Sequence, residues 1–273
     1  MREMTLAEIQ QQSLEILDDI HSFCVKNGIR YSLYGGTMLG AVRHKGFIPW
    51  DDDVDIAMPR KDYERFLIEY ESSRGYRLFH CGNSGALIGF ARVCEMEKTE
   101  SDFTLAPWND TKTGLWVDVF PLDVAPDDPD EARAHVSMLS GLSRQLTLIR
   151  QSRASFADVT SLSYGLKLLV KKVLYQNPFY DRTKVVRRFV QECRKYEGQT
   201  TKHFCNFSYL GFGMREYQLM EDFSSFVELS FESRKYLCCN GYDRLMRTKY
   251  GDYMTLPPEE KRVTHHPMYN IWK

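Results

Sequence analysis

A diglycine between a short apolar run and a helical stretch is the pattern that most constrains this chain. Residues 29–34 are typical of a buried strand, Gly35 and Gly36 break it, and residues 37–43 have helical spacing. We therefore predict a strand-to-helix turn at the two glycines. Such a turn presents backbone N–H groups and the positive end of a helix, which together suit an anion such as a phosphate.

Four aspartates follow this turn within five residues: Asp51, Asp52, Asp53 and Asp55. Ionised carboxylates this close repel one another, so a cation among them is the simplest compensation. Ligation by oxygen alone suits Mg²⁺, Mn²⁺ or Ca²⁺. The alternative is a solvated acidic turn, which is disfavoured because apolar residues are interleaved with the charges.

The aspartates run into a second predicted strand, residues 54–58. Asp53 and Asp55 are two residues apart, so their side chains leave the same face, while Val54 and Ile56 face the core. An EF-hand calcium loop is excluded because that loop needs a glycine where Ile56 stands. The pattern therefore predicts two carboxylates projecting together from one strand.

Other charged residues lie in or near predicted strands. Asp118 stands between two valines in the predicted strand 115–120, so we expect it to point away from the core, into a site or into water. Arg92 lies in an apolar stretch and needs a partner, for which a phosphate is one candidate. Arg43 and Lys45 follow the diglycine closely and are further candidates for binding phosphate oxygens.

Composition limits the partners and the compartment. The formal net charge is −1, whereas proteins that grip long nucleic acids usually carry a basic excess. We therefore expect a small anionic substrate and no nucleic acid. The first residues lack the apolar run of a signal peptide, and the seven cysteines show no paired spacing, so we expect a cytoplasmic protein with reduced thiols.

The turn at residues 125–131 is the best candidate boundary. We predict a catalytic core in residues 1–125 and a mainly helical region in residues 126–273 that packs on the core and completes the substrate site. The predicted helices of the second region are 131–150, 162–175, 183–196 and 231–250. The basic amphipathic run 166–175 has two interpretations: a helix resting on a membrane surface, or a core helix with its lysines in water, which is the simpler one.

Three blocks of sequence, in order, resemble the LicD family, which includes bacterial phosphocholine transferases and is related to fukutin. The blocks are residues 35–56, with Gly-Gly-Thr and Asp-Asp-Asp-Val-Asp-Ile at their ends, residues 116–123, with Trp-Val-Asp-Val-Phe-Pro-Leu-Asp, and residues 250–267, which begin with Tyr-Gly-Asp-Tyr-Met and end with His-Pro. The blocks span nearly the whole chain, although residues 131–231 match no block.

The resemblance implies an α+β fold, with a nucleotidyltransferase-like mixed α/β sheet as the core and a helical C-terminal region. In that fold Asp53, Asp55 and Asp118 would hold one or two Mg²⁺ or Mn²⁺ ions. Either Asp51 or Asp118 would accept the proton of the acceptor hydroxyl. The residues expected to contact the phosphates or the donor are Gly35, Gly36, Thr37, Arg43, Lys45, Arg92 and His266.

The resemblance also implies an activity: transfer of phosphocholine from CDP-choline to a sugar hydroxyl, with release of CMP. The acceptor would be a glycan of a lipopolysaccharide, capsule or teichoic acid, or its lipid-linked precursor, with peripheral contact at the inner face of the membrane. Trp50, Trp108 and Trp116 are candidates for a cage around the quaternary ammonium, and His265 is a candidate donor contact.

Other functions remain open. One is transfer of a nucleotide to a small molecule with release of pyrophosphate, and another is transfer of ribitol, glycerol or ethanolamine phosphate from the matching CDP-alcohol. The alternative to an enzyme is a non-catalytic binding scaffold. An intact set of Asp53, Asp55 and Asp118 disfavours that alternative.

Overall fold

The computed structural model describes residues 1–103, 105–109, 111–158, 161–264 and 268–273. The helices are α1 Leu6–Asn27, α2 Gly35–Arg43, α3 Arg60–Glu69, α4 Pro129–Gln151, α5 Leu162–Tyr175, α6 Arg182–Cys193 and α7 Tyr242–Tyr250. The strands are β1 Arg2–Glu3, β2 Ser32–Leu33, β3 Asp55–Pro59, β4 Arg77–Phe79, β5 Ala91–Cys94, β6 Thr99–Phe103, β7 Trp116–Ala125, β8 His203–Cys205, β9 Tyr217–Leu219, β10 Phe226–Phe231, β11 Arg234–Cys239 and β12 Met268–Trp272.

The main sheet is mixed, with the strand order β2-β3-β7-β5-β4. Strands β3 and β7 run parallel, while the other neighbours in this order are antiparallel. Strand β8 pairs with the end of β7, and β9 pairs with β8. A second, antiparallel sheet has the order β1-β12-β6. The expected α+β fold with a mixed sheet is confirmed.

Helix α1 begins and ends at residues that the sequence favours at those places. The Thr5 side chain accepts from the backbone N–H of Glu8, and the Glu8 side chain accepts from the backbone N–H of Thr5, which is a capping box. Gly28 ends the helix in the left-handed conformation, with φ +62°. The buried face of α1 includes Ile16 and Leu17, so this helix covers part of the main apolar core.

Two predicted segments differ from the structure around the core. Helix α2 begins at Gly35, so the diglycine forms the first turn of the helix rather than a turn before it. The sequence predicts a strand over residues 86–93, and residues 86–90 are buried, but β5 begins only at Ala91. An apolar run with little polar alternation does not by itself fix where a strand begins.

The predicted helix 231–250 is wrong in its first half, where β10 and β11 form a hairpin that precedes α7. Tyr236 and Cys238 alternate as fully buried residues, which is the period of a strand. The N–H of Cys239 donates to the Ser32 hydroxyl at 2.9 Å. Contacts with β2, which is distant in sequence, therefore stabilise an extended backbone here.

Residues after 125 are joined to the rest by strand pairing and packing. β8 pairs with β7 and β12 pairs with β6, while a second apolar cluster lies between α4, α6 and residues such as Cys205 and Phe207. The division at residue 125 stays a prediction. Among the described residues, no helix combines the length and the hydropathy that crossing a bilayer requires.

Candidate active site

The register of the two parallel strands brings distant carboxylates together. Asp55 on β3 lies opposite Asp118 on β7, and the backbone N–H of Asp118 donates to the carbonyl oxygen of Val54 at 2.9 Å. Residues opposite each other on neighbouring strands project from the same face of the sheet. Asp118 therefore joins Asp55 on one face of the sheet, and Asp53, just before β3, lines the same cavity.

These side chains line a cavity of about 470 Å³. The charged residues around it are Asp51, Asp53, Asp55, Asp118, Glu216, Arg92, Arg150 and Lys249. The aromatic residues around it are Tyr34, Phe90, Phe103, Trp116, Phe120, Tyr209, Phe212 and Tyr250. A concave site with a few converging charges on an aromatic wall is the usual form of a small-molecule site.

The two glycines at the start of α2 permit close approach of the carboxylates. A Cβ atom on Gly35 would lie 2.6 Å from Asp55 Oδ2, and one on Gly36 would lie 2.7 Å from Asp51 Oδ2. Gly35 also has φ +52°, a conformation that other residues adopt at a cost. Glycine is therefore needed here because any side chain would displace the acidic residues.

Gly36→Ala is expected to lower both Mg²⁺ affinity and turnover by about tenfold or more, because the new methyl group must push Asp51 aside. The matched control is Gly141→Ala in α4, where a Cβ meets nothing within 4 Å. Titration calorimetry with Mg²⁺ and a turnover assay measure both effects. Equal Mg²⁺ affinity in the two variants would contradict the role of the diglycine.

The electrostatics of the cavity favour a cation. Burial raises the pKa of Asp55 well above its ordinary value, and the neighbouring charges of Asp53, Asp118 and Asp51 raise it further, while Lys249 opposes them in part. Ionised carboxylates that are buried together in this way gain stability when a positive ion binds among them.

The donor set fits Mg²⁺ or Mn²⁺. Asp51, Asp52 and Asp53 each offer a carboxylate oxygen within 4.8 Å of the others, and Asp55 and Asp118 lie on the adjoining strands. Hard oxygen ligands of this type suit these ions. The sequence analysis gave Asp52 no role beyond its place in the acidic cluster. The assignment of Asp53, Asp55 and Asp118 as the ligands stays a prediction.

Arg92 finds its partner in Asp118. The buried guanidinium donates from Nε to Asp118 Oδ1 at 2.6 Å and from Nη2 to Asp118 Oδ2 at 3.4 Å. Its third nitrogen, Nη1, has no hydrogen-bond partner among the described residues. A buried N–H group that forms no hydrogen bond is costly. A ligand oxygen that accepts a hydrogen bond from Nη1 would remove that cost.

The tryptophans expected to surround a quaternary ammonium are engaged elsewhere. The Arg92 guanidinium carbon lies 4.1 Å from the centroid of the Trp116 ring and 4.6 Å from that of Trp108. Trp108 is fully buried, and Trp50 is not among the residues that line the cavity. The cation on these rings is therefore the protein's own arginine.

Three expected phosphate contacts do not line the cavity. The Thr37 hydroxyl is buried and accepts from the backbone N–H of Asp55 at 2.8 Å. Arg43 donates to the carbonyl oxygen of Tyr253 at 2.9 Å, and Lys45 donates to that of Val42 at 3.2 Å. Thr37 thus positions β3, whereas Arg43 and Lys45 hold backbone near the site. Their proposed contact with phosphate stays a prediction.

Gly35, Gly36, Arg92 and the aspartates predicted as catalytic all line the cavity. His265 and His266 lie outside the described residues, so the structure says nothing of the role expected for them.

The sequence analysis missed a buried ion pair at the back of the cavity. Lys249 Nζ lies 2.9 Å from Glu216 Oε1, with exposed fractions of 2% and 0%. The Tyr34 hydroxyl donates to the other oxygen of Glu216, and Lys249 Nζ lies 3.8 Å from the centroid of the Tyr34 ring. The position of Lys249 beside the third sequence block was a signal for it, but nothing in the sequence marks Glu216.

Arg150 at the end of α4 was missed too. Its Nε donates to the carbonyl oxygen of Ala106 at 3.2 Å, and burial, followed by the charge of Arg92, lowers the pKa of its guanidinium to about 10. Partly buried with a second arginine nearby, this guanidinium favours an anionic partner in the cavity.

A second cavity of about 360 Å³ adjoins the first, and Phe90, Arg150 and Tyr209 line both. Hydroxyl groups line the second cavity, contributed by Ser140, Ser143, Thr147 and Ser208. The cavity of the metal-binding candidates therefore adjoins a second cavity that is lined by both apolar side chains and hydroxyl groups.

Comparison with known proteins identifies a family model and relatives that match this chain. Residues 28–136 match the family model described as LicD/FKTN/FKRP, nucleotidyltransferase domain. The chain is 29% identical to lipopolysaccharide cholinephosphotransferase LicD of Haemophilus influenzae over 274 residues, which cover 97% of each protein. It is 54% identical to human ribitol 5-phosphate transferase FKRP over 94 residues, which are 34% of this chain and 17% of that protein.

Proposed function

This chain is a LicD-family protein with the family's nucleotidyltransferase domain in residues 28–136, and from that premise we propose that it transfers a phospho-alcohol group from a CDP-linked donor to a sugar hydroxyl, releasing CMP. The observation that carries the proposal is the convergence of Asp53, Asp55 and Asp118 in one cavity beside Gly35 and Gly36.

Phosphocholine is the group that we propose, with a cell-surface glycan or its lipid-linked precursor as acceptor. The Haemophilus relative, named as a lipopolysaccharide cholinephosphotransferase, aligns over 97% of this chain, which favours choline. The human relative is named as a ribitol 5-phosphate transferase, so ribitol phosphate is the second candidate. We place the reaction in the cytoplasm.

We propose roles for the charged groups that line the cavity. Asp53 and Asp55, with Asp118, hold Mg²⁺ or Mn²⁺, which when bound stabilises the charge of the diphosphate and of the departing CMP. Arg92 Nη1 and the Arg150 guanidinium bind phosphate oxygens. Asp51 and Asp118 both line the cavity, and either one accepts the proton of the attacking hydroxyl.

The aromatic wall at the junction of the two cavities suits the donor's head group. The rings of Phe90 and Phe120 lie 4.6 Å apart, and those of Phe120 and Tyr209 lie 5.8 Å apart. A trimethylammonium group binds to ring faces through the cation–π interaction. We therefore place choline here rather than against the tryptophans that contact Arg92.

Tyr209→Ala is expected to raise KM for CDP-choline about five- to thirtyfold, because it removes one ring of this wall. Tyr209→Phe keeps the ring and should stay close to wild type. The matched measurement is KM for CDP-ribitol, whose head group carries no cation. An equal rise for both donors would contradict a choline site at Tyr209.

The adjoining cavity is the proposed acceptor site. Its hydroxyls offer donors and acceptors to a sugar, and it shares Arg150 and Tyr209 with the donor cavity. An acceptor bound there reaches the phosphate from the open side of the donor site, which is the arrangement that direct transfer needs.

Product analysis tests the function directly. The purified protein is incubated with Mg²⁺, a sugar acceptor and one of CDP-choline, CDP-ethanolamine, CDP-ribitol or CDP-glycerol, and the released nucleotide is identified. We expect acceptor-dependent release of CMP, fastest with CDP-choline. In a parallel incubation with a nucleoside triphosphate in place of the CDP-linked donor, release of pyrophosphate would instead establish nucleotidyl transfer. Donor binding without any product would establish a scaffold.

A further inference from the structure

Helix α5 carries an apolar stripe on its exposed face. The stripe consists of Leu162, Leu166, Leu169, Val170, Val173 and Leu174. Their spacing places them on one side of the helix, and their exposure ranges from 49% for Leu169 to 92% for Leu162. Leu168 on the opposite side is buried. The interpretation of this run as a core helix is therefore wrong, because the apolar side faces outward.

Lysines flank this stripe on both sides. At about 100° per residue, Lys167 and Lys171 lie along one edge and Lys172 along the other. Residues 161–180 contain no aspartate or glutamate. Phe179, just beyond the helix, is 97% exposed and extends the apolar surface. An apolar face edged by lysines is the pattern of helices that lie in a membrane interface.

A cationic cavity of about 450 Å³ opens on the Lys172 side of the helix. Among the described residues, those that line it include the basic residues Lys112, Lys172 and Arg182 and the carboxylate of Asp102. Lys112 is also paired with Glu100, at 2.7 Å. Lys172 and Arg182 also line this cavity, and their positive charge suits the phosphate of an anionic lipid head group.

We propose that α5 docks on an anionic lipid bilayer, with the apolar stripe inserted at the level of the acyl chains and the cationic cavity on the head-group phosphates. Charge complementarity favours a bilayer over a second copy of this chain. A two-fold contact between two α5 helices would set lysines against lysines, with no acidic residue in residues 161–180 to pair with them.

The docked surface lies beside the active site. Asp102 lines the cationic cavity, whereas its neighbour Phe103 lines the catalytic one. Near the end of α4, Arg153 lines the cationic cavity and Arg150 lines the catalytic one. Docking therefore brings the catalytic cavity close to the lipid surface. If the proposed function holds, this placement suits an acceptor sugar carried on a lipid.

Flotation of the full chain with vesicles tests this proposal without any turnover, so its outcome is separate from that of the proposed function. We expect binding to vesicles of phosphatidylcholine with a third of phosphatidylglycerol, and much weaker binding to phosphatidylcholine alone. Lys167→Gln with Lys172→Gln should weaken binding about twenty-five-fold, at about fivefold per lysine. Leu166→Gln with Val173→Gln should weaken it at least about tenfold.

The controls carry the same changes on other exposed helix positions. Lys26→Gln with Lys61→Gln is the control for charge, and Val25→Gln with Ile68→Gln is the control for the apolar stripe. Both should float like wild type, and circular dichroism should show every variant folded. Equal flotation on the two vesicle types, or wild-type flotation of Leu166→Gln with Val173→Gln, overturns the proposal. The proposal is also overturned if the wild-type chain does not float but forms a dimer in sedimentation equilibrium, and Leu166→Gln with Val173→Gln abolishes that dimer.

Discussion

Asp55→Asn is expected to reduce turnover by at least about a hundredfold, comparable to the loss of a major electrostatic stabiliser. The substitution keeps the size of the side chain and removes its charge, and Asp53→Asn should act in the same way. Stability should not fall with activity. Because burial and the neighbouring carboxylates raise the pKa of Asp55, its ionised form destabilises the metal-free protein at neutral pH, and Asn removes that cost.

Turnover with CDP-choline and thermal unfolding without metal measure these two effects. The control is Asp130→Asn in the exposed first turn of α4, which should leave turnover unchanged. Near-wild-type turnover in both Asp53→Asn and Asp55→Asn would remove these residues from the catalytic machinery.

Lys249→Met is expected to lower the free energy of unfolding by about 3–5 kcal/mol, because it leaves the charge of the fully buried Glu216 without its partner. Chemical denaturation measures this difference. Lys235→Met is the control, since Lys235 is exposed and lies 3.8 Å from an exposed Glu228; it should change stability by less than about 1 kcal/mol.

The pairing itself is tested by combining Lys249→Met with Glu216→Gln. Since the double variant carries no unpaired charge, it should recover a large part of the lost stability. If Lys249→Met alone unfolds like wild type, the ion pair does not stabilise the fold. If the double variant is as unstable as the single one, the cost comes from packing of the lysine chain rather than from the charge of Glu216.

The sequence predicted those parts of the site that depend on local periodicity. The period of two along a strand placed Asp55 and Asp118 away from the core while Val54 and Ile56 faced it, and both valine and isoleucine are fully buried. The diglycine was predicted as a strand-to-helix turn, whereas the structure has it in the first turn of α2. Its close approach to Asp51 and Asp55 depends on tertiary packing and was not predicted.

Contacts between distant segments were beyond the reach of local patterns. The partner of Arg92 depends on the register of β5 against β7, which sets Arg92 opposite Asp118. Likewise, Glu216 and Lys249 lie far apart in sequence, and no local sequence pattern predicts that they form an ion pair. Such pairs are set by tertiary packing.

Periodicity also identifies a face without saying what covers it. The amphipathic pattern of α5 was read correctly as a helix, 162–175. Of the two interpretations of the run 166–175, the simpler one placed the apolar side in the core, whereas the structure leaves Leu166 and Val173 exposed. In residues 231–250, contacts with Ser32 and its strand override the helical spacing of the first half.

The most direct test of the central claim is a crystal structure with Mn²⁺ and CDP-choline, with the ions located by their anomalous scattering. We expect one or two manganese peaks between Asp53, Asp55 and Asp118, next to the diphosphate, with the choline group against Phe90 and Tyr209. Manganese bound elsewhere, or a nucleotide bound in this cavity without an ion at these carboxylates, would contradict it.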